Sequence, residues 1–322
     1  GGEMSRSRTL TQFATVFVLI GVMLVASPGT SRGQLLVDSD FNASADSAAL
    51  RSSAGGGWYE SRSDRAPNGP NLLTLDTSAV AGNSSKKAKL TASGTYNAYL
   101  TQAFSPAQTG TFYAQWDIYV DSIMNLNHTP ADPDRGGWML IGDATDPTRT
   151  GPNSDDPERF VYMAFLKDGG GTTGTMDLVA RDRDDTWSNF TTVAPALSLD
   201  QWYTIKVHCN LAAGIYDVYV NGVFQQTVTS RNAKTQVSHI SFATWDDGAG
   251  TFYVDNVTAT FCPGDINASG ARDGSDLARI IKAFGSVQGQ PHYDPFADLN
   301  GSNGVDLADL TAFAGTFGQS CP

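Results

Sequence analysis

Glutamate is nearly missing from this chain of 322 residues. Thirty of the 33 acidic residues are aspartates, and the three glutamates are Glu3, Glu60 and Glu158. Aspartate favours turns and calcium loops over helix interiors, so the composition predicts a loop-rich β-protein in a calcium-containing, extracellular setting. Glycoside hydrolysis commonly needs two carboxylates, and the aspartates of the predicted strands share no short spacing that would supply them.

Basic residues and cysteines are also few. Lys and Arg number 21, which gives a formal net charge of -12 and disfavours nucleic acid and anionic membranes as partners. Of three cysteines, Cys209 falls on the apolar side of an alternating strand and is predicted to be a buried thiol. Cys262 and Cys321 flank the last part of the chain and are predicted to form a disulfide if its ends meet; two free thiols are the alternative.

Long apolar runs are absent apart from residues 13–26. Arg6 and Arg8 precede this run and small residues follow it, which predicts that residues 1–33 are a leader containing a signal peptide. An uncleaved anchor is the alternative. No later run approaches about 18 apolar residues, so we expect a secreted protein with no membrane span after signal removal.

Residues 34–261 lack a helical period, but apolar and polar residues alternate in many short runs. Asn221-Gly222 between two such runs predicts a two-residue β-hairpin. The domain is therefore predicted to be an antiparallel β-sandwich of jelly-roll type. Strands are predicted at residues 111–120, 160–166, 176–180, 202–209, 215–220, 223–228, 239–244 and 251–261, and more weakly at 35–37, 86–91 and 99–104.

The strongest motif is a duplication with a period of 33 residues in the region 262–322, which is predicted to form a small α-helical domain. Two twelve-residue segments begin at Asp265 and Asp298 and carry oxygen groups at positions 1, 3, 5, 7, 9 and 12, the spacing of a calcium loop. Position 6 is Gly270 or Asn303, which tolerate positive φ. The predicted ligands are Asp265, Asn267, Ser269, Ala271, Asp273 and Asp276 in the first loop and Asp298, Asn300, Ser302, Gly304, Asp306 and Asp309 in the second.

A helix with one apolar stripe is predicted after each loop, and the two stripes are expected to pack together. Gly285 and Gly318 suit the left-handed residue at the two helix ends. The stripes are Leu277, Ile280, Ile281 and Phe284 in the first copy and Leu310, Phe313, Ala314 and Phe317 in the second.

Paired calcium loops, each followed by a helix but preceded by proline and glycine, resemble the dockerin family of type I. The preceding segments are residues 262–264 and 291–295. The resemblance implies two structural Ca²⁺ ions and a cohesin-like partner. The chain departs from the family at position 5, where serine replaces the usual aspartate. Positions 10 and 11, which in dockerins help to select the cohesin, differ between the copies, as Gly274-Ser275 and Leu307-Ala308.

The strand pattern of residues 200–261 resembles concanavalin A-like lectin and glucanase sandwiches, including laminin-G-like domains. Its segments are residues 201–207, 216–222 and 251–257. The resemblance implies glycan binding or cleavage at a sheet face or its loops. No catalytic residue is predicted, because the Glu-x-Asp-x-x-Glu motif of laminarinase-type enzymes and the Gly-x-Ser-x-Gly elbow are absent. His128, His208 and His239 also lack the surrounding motif of polysaccharide lyases.

Tryptophans among polar loop residues are the predicted sugar contacts, because sugar rings stack on exposed aromatic faces. Trp187, Trp245 and Trp138 meet this description, whereas Trp116 and Trp202 lie in strands and are predicted to serve the core. An additional calcium ion is predicted where the first and last strand regions of this domain pair; solvated carboxylates are the alternative. Its ligands would include Asp38, Asp40 and Asp255.

These patterns predict a carbohydrate-binding β-sandwich at residues 34–261 joined to a calcium-dependent docking domain at residues 262–322, acting in polysaccharide recognition or breakdown. Two alternatives remain open. One is an enzyme, either a polysaccharide lyase or an O-glycosyl hydrolase. The other is a non-enzymatic surface or matrix protein.

Overall fold

The computed structural model describes residues 34–52, 57–62, 72–93, 96–123, 134–145, 151–152, 156–167, 174–185, 190–244 and 250–321. They form two compact units, one at Leu35–Phe261 and one that begins at Cys262. The predicted leader lies outside these residues. Among the helices of the described chain, none combines the length and apolar character of a membrane span.

The first unit contains fifteen described strands and one short α-helix, α1 (Ser47–Arg51). A single turn of 3-10 helix covers Asp156–Glu158. The strands are β1 (Gln34–Ser39), β2 (Tyr59–Glu60), β3 (Leu73–Asp76), β4 (Lys87–Thr91), β5 (Tyr99–Gln108), β6 (Thr111–Ser122), β7 (Asp134–Gly142), β8 (Arg159–Lys167), β9 (Thr175–Ala180), β10 (Thr191–Ser198), β11 (Trp202–Asn210), β12 (Ile215–Val220), β13 (Val223–Thr229), β14 (Val237–Ala243) and β15 (Thr251–Phe261).

The strands form two sheets. Sheet A has the order β13-β12-β11-β6-β15-β4-β3, with β1 also paired to β15, and sheet B has the order β10-β9-β8-β7-β14-β5-β2. Each neighbouring pair along these two orders is antiparallel. The predicted antiparallel β-sandwich is therefore confirmed.

One apolar core lies between the sheets. In β11 the residues Tyr203, Ile205, Val207 and Cys209 are buried in it, as the alternation predicts. Cys209 is a buried free thiol, in agreement with the prediction. Across the core, the ring centroid of Trp116 in β6 lies 5.6 Å from that of Phe242 in β14, which joins the two sheets.

All eight clearly predicted strands are present and agree with the observed ends within two residues. The hairpin is also confirmed, since Asn221 and Gly222 have φ values of 50° and 77°. Strands β2, β3, β7 and β10 were not predicted. In β7, Gly137 has a φ of 59° and the pairing with β8 shifts register, so Gly136-Gly137 is a bulge within a strand and not a loop.

The second unit contains helices α2 (Gly274–Ala283) and α3 (Leu307–Ala314). Loop residues begin both helices, because Asp273 and Asp306 are N-caps that form capping boxes with Asp276 and Asp309. Of the predicted stripes, Ile280 in the first and Leu310 and Phe313 in the second are buried. Phe284 and Phe317 were expected to be buried too, but they lie beyond the helix ends and are 40% and 37% exposed.

The two copies of the repeat are joined by exchanged backbone pairing. Residues 270–272 of the first loop pair with residues 318–321, which follow the second helix. Residues 303–305 of the second loop pair in the same way with residues 285–288, which follow the first helix. Each loop therefore completes the opposite copy, and the unit has approximate two-fold symmetry.

Candidate functional site

The first ligand of each predicted calcium loop is held by the backbone of its own loop. Asp265 accepts hydrogen bonds from Ser269 N at 2.9 Å and Gly270 N at 2.8 Å. Asp298 accepts the equivalent bonds from the N–H groups of the residues four and five positions later, at 3.0 and 2.8 Å. Both aspartates are buried. The loop backbone thus fixes the direction of each carboxylate.

The last ligand of each loop is held equally firmly. Asp276 Oδ2 accepts from Asp273 N at 2.9 Å, and its Oδ1 accepts from the N–H groups of residues 266 and 267. Asp309 Oδ2 accepts from Asp306 N at 2.8 Å, and its Oδ1 accepts from Asn300 N at 3.1 Å. Positions 1 and 12 are therefore oriented by backbone N–H groups in both copies.

Positions 5 and 7 present two oxygens side by side. Ser269 Oγ lies 3.3 Å from the carbonyl oxygen of Ala271, and Ser302 Oγ lies 3.2 Å from that of Gly304. The turn between them is left-handed, with φ of 91° at Gly270 and 67° at position 303, as the sequence predicts. Adjacent oxygens from hydroxyl, carbonyl, amide and carboxylate groups are the donor set that Ca²⁺ prefers, so the residues fit this ion.

In the second loop, the surroundings of the last ligand raise its proton affinity. Burial raises the pKa of Asp309 above its usual range, and the charges of Asp298 and Asp306 raise it further. Among the described residues, three carboxylates do not converge in either loop. The one group of three His, Cys, Asp or Glu ligands within 4.8 Å is Cys262, Asp265 and Cys321. A calcium shell here would therefore depend on amide, hydroxyl and carbonyl oxygens as well.

The predicted disulfide is present. Cys262 and Cys321 are bonded, with their Cα atoms 5.8 Å apart. Because both sulfurs are used in this bond, they are not free to ligate a metal together with Asp265. The bond closes a long loop and stabilises the unit by about 4 kcal/mol on the chain-entropy estimate.

Sheet B carries a second apolar cluster on the face that points away from the core. We call it the outer cluster: Tyr99, Trp138, Leu140, Tyr162, Ala164, Val179 and Ala243. Trp138 was predicted to be an exposed loop residue, but it lies in β7 and is 3% exposed. Its ring packs against Tyr162 at 5.0 Å and Phe190 at 6.1 Å. As it stands, Trp138 offers no open ring face for a sugar. Trp187 and Trp245 lie outside the described residues.

Three arginines stand over the tyrosines of the outer cluster. The Arg159 guanidinium lies 4.4 Å and the Arg181 guanidinium 5.7 Å from the ring centroid of Tyr162. Arg62 lies 5.3 Å from the ring centroid of Tyr99. Cation–π stacking holds such groups in place, and guanidinium groups donate hydrogen bonds to hydroxyls and carboxylates. Sequence reasoning missed the outer cluster because its members come from five separate strands.

The candidate histidines are separated. His239 in β14 lies on the outer side of sheet B, two strands from Arg159, and its Nδ1 is 2.7 Å from Ser238 Oγ. Burial lowers the pKa of His239, and Asp143 and Glu158 oppose this shift. His208 in β11 belongs to sheet A, where it packs edge-on against Tyr113 at 6.3 Å. His128 lies outside the described residues.

The outer face of sheet A carries further aromatic residues. Trp202 was predicted to be buried in the core, but it lies on the outer face of sheet A and is only partly buried. Its indole N–H donates to the carbonyl of Val80 at 2.9 Å, and its ring packs against Tyr119 at 5.5 Å. Elsewhere on this face the Lys206 ammonium lies 5.2 Å from the ring centroid of Tyr219. Trp116, in contrast, is fully buried in the core, as predicted.

The residues predicted to bind an additional calcium ion have separate partners. Asp255 is fully buried, and its carboxylate accepts from the side chain of Asn83 at 2.8 Å and from Asn256 N at 2.9 Å. Asp40 is exposed and accepts from Asn42 N at 3.0 Å, a bond that lowers the pKa of Asp40. The side chain of Asp38 lies outside the described part, so this site stays a prediction.

No family model matches the sequence, and no curated protein is significantly similar to it. Similar solved structures include a sialidase with 14% identity and a TM-score of 0.44, covering 78% of this chain and only 21% of the sialidase. A marine alginate lyase from Zobellia galactanivorans has 12% identity and a TM-score of 0.42, covering 59% of this chain and 80% of the lyase. The carbohydrate binding module CBM66 from Bacillus subtilis has 10% identity and a TM-score of 0.35, covering 63% of this chain and 94% of the module. All three names refer to carbohydrate binding or cleavage, but similarity this low carries no argument about the function of this chain.

Proposed function

We propose that this is a secreted protein whose β-sandwich binds polysaccharide and whose C-terminal unit is a calcium-dependent dockerin that attaches it to a cohesin-type partner. The observation that carries the proposal is the repeated loop geometry. Position 1 is bonded by the same backbone N–H groups in both copies, and oxygens adjoin at positions 5 and 7 in both. The disulfide fits an oxidising compartment outside the cell.

The chain itself provides most of each calcium site. The backbone N–H groups orient the first and last carboxylates, and the left-handed residue at position 6 turns the backbone so that the position-7 carbonyl adjoins the position-5 hydroxyl. Calcium, when bound, supplies the positive charge that balances the buried carboxylates. The residues that would hold the two ions are the twelve loop positions predicted from the sequence.

An exposed apolar surface on the C-terminal unit supports the docking role. Leu307 occupies position 10 of the second loop and is 49% exposed, and Phe284 and Val287 are 40% and 50% exposed. Residues 285–288 pair with the second loop, so these three side chains belong to the same end of the unit. Exposed apolar side chains in such a small unit favour a protein partner.

The test of the docking half is calorimetric titration of the full chain with calcium, followed by titration with cohesin-type domains. We expect two calcium ions to bind and the cohesin heat to appear only when calcium is present. Asp265→Asn and Asp298→Asn should each remove one calcium. An oxidised wild-type chain that gives no calcium heat and no change in circular dichroism would refute this half.

The arginines over the outer cluster support the polysaccharide half, because guanidinium donors held in place by stacking are suited to the hydroxyls of sugars and the carboxylates of uronates. Arg159→Ala and Arg181→Ala should weaken binding on a glycan array about tenfold, the loss of one charge-assisted hydrogen bond. Lys206→Ala removes a cation from a tyrosine on the other sheet and serves as the control. Equal binding by all variants would refute the assignment of this face.

Polysaccharide lyase activity is a second candidate, favoured by one observation. His239, Tyr162 and Arg159 lie on the same outer side of sheet B, and these residue types can abstract a proton and neutralise a uronate. Release of unsaturated ends from uronate-containing polysaccharides, lost in His239→Gln and Tyr162→Phe, would establish this activity. Binding without any unsaturated product would exclude it for those substrates.

A further inference from the structure

The two calcium loops differ at one contact of their first ligand. In the second loop, Asp298 Oδ2 accepts a hydrogen bond from the Tyr293 hydroxyl at 2.9 Å. In the first loop, Asp265 Oδ2 lies 3.4 Å from Cys321 Sγ. Because Cys321 is in a disulfide it has no S–H, so its sulfur contacts the carboxylate without donating to it.

Both cysteines of the disulfide lie in segments that contact the first loop. Cys321 lies in the segment that pairs with this loop, where its N–H donates to the Gly270 carbonyl at 2.8 Å. Cys262 precedes the loop, and its carbonyl accepts from Asp265 N at 3.2 Å. The bond thus ties the entrance of the loop to its pairing partner. Shifted by the 33-residue period, the same two positions around the second loop are Pro295 and Gln288, which cannot form such a bond.

We propose that the Cys262–Cys321 disulfide is a redox-sensitive clamp that maintains calcium affinity at the first loop and not at the second. This inference depends on the proposed calcium-binding function. A dithiol reductant gives two electrons and two protons to the bond, the S–S bond breaks, two thiols form, and the reductant becomes its own disulfide. Cys321 is partly exposed, so a reductant can reach the bond.

Reduction would weaken the first calcium site in two ways. The segment around Cys321 loses its covalent attachment to the loop entrance, which loosens the pairing that shapes the turn at Gly270. The new thiol also becomes a donor beside Asp265 Oδ2, where it competes with the cation for that oxygen. The second site keeps its Tyr293 hydrogen bond in either redox state.

The experiment is calcium titration calorimetry of the full chain with and without a dithiol, in two variants that each retain one site. In Asp298→Asn, which keeps the first site, we expect reduction to raise the calcium Kd about tenfold, as for loss of groups that orient metal ligands. In Asp265→Asn, which keeps the second site, the change should stay below about twofold. The double variant Cys262→Ser/Cys321→Ser should behave like the reduced chain.

The wild type gives a second measurement if either variant fails to fold. The oxidised wild type should bind calcium at two sites, and reduction should weaken binding at only one of them. Equal weakening of both sites, or no change at the site retained in Asp298→Asn, would overturn the clamp. Absence of calcium binding in the oxidised wild type would instead refute the proposed function, so the two failures are distinguishable.

Discussion

The two units of this protein bury different proportions of apolar and charged side chains. The sandwich has one continuous apolar core with members from both sheets. The C-terminal unit has a small apolar core and also buries Asp265, Asp276, Asp298 and Asp309, each at most 7% exposed. Burial of apolar surface is favourable by itself, whereas buried carboxylates need compensating charge or hydrogen bonds. Apart from the predicted site at Asp255, which the sandwich also buries, we therefore expect calcium to matter less to the sandwich than to the C-terminal unit.

Removal of calcium should have the largest effect and tests this contrast directly. Each ion at a thousandfold excess over its Kd stabilises the unit by about 4 kcal/mol, so chelation should abolish amide protection in residues 264–320. Hydrogen exchange of the full chain with and without a chelator measures both units at once. Protection in β6 and β11 of the sandwich core is the internal control. An equal loss in both units would break the comparison.

Two matched core truncations should come next. Trp116 in the sandwich and Phe313 in the C-terminal unit are both fully buried, so Trp116→Ala and Phe313→Ala should each cost about 3–5 kcal/mol. We expect Trp116→Ala to lower the sandwich transition in calorimetry and leave the calcium titration unchanged. Phe313→Ala should weaken calcium binding without moving the sandwich transition. Loss of calcium binding in Trp116→Ala would show that the units are coupled.

A smaller effect is expected at Glu60, a partly buried carboxylate of the sandwich. Burial raises the pKa of Glu60 above its ordinary value of 4.5, and Arg51 partly opposes this shift. Its Oε1 has no hydrogen-bond partner among the described residues. At low pH the Glu60 side chain is protonated in both the folded and the unfolded protein, and it does not affect stability. Because its pKa is higher in the folded protein, stability is lost as the pH rises from the unfolded pKa through the folded pKa.

Glu60→Gln should therefore stabilise the sandwich at pH 7 by about 0.5 kcal/mol, a value reduced for solvent screening, and should have no effect at pH 3. Urea midpoints at the two pH values measure the difference. Glu158→Gln is the control and should not stabilise the sandwich, because Glu158 Oε1 already accepts hydrogen bonds from Thr145 N and Oγ. A gain in Glu60→Gln that is equal at both pH values would contradict the assignment to charge.

The success of sequence reasoning depended on how local each signal was. Strand alternation and the Asn221-Gly222 turn are fixed by neighbouring residues, and they were predicted closely. Strand β7 was missed because Gly136-Gly137 resembles a turn, although pairing with β8 and β14 holds it in the sheet. Pairing between distant strands therefore outweighs the local preference of the two glycines for a turn. The prediction for Trp138, the next residue, was wrong for the same reason.

The candidate sites also differ in whether their residues are neighbours in the sequence. The predicted calcium ligands of each loop come from twelve consecutive residues, so their spacing could be read directly from the sequence. Arg159 and Arg181 stand over Tyr162 in β8 and Arg62 stands over Tyr99 in β5, and only the order of strands in sheet B places both tyrosines in the outer cluster. Neither that order nor the difference between Tyr293 and Cys321 beside the first ligands has a signature along the chain.

The exchanged pairing between the two copies of the repeat means that neither copy contains all the strands it pairs with. A chain cut to one copy keeps its loop but loses the strand that pairs with it, because that strand belongs to the other copy. Two identical halves could restore both pairings by associating as a closed dimer. Half of the C-terminal unit should therefore be recovered as a pair of chains or not folded at all, whichever half is expressed.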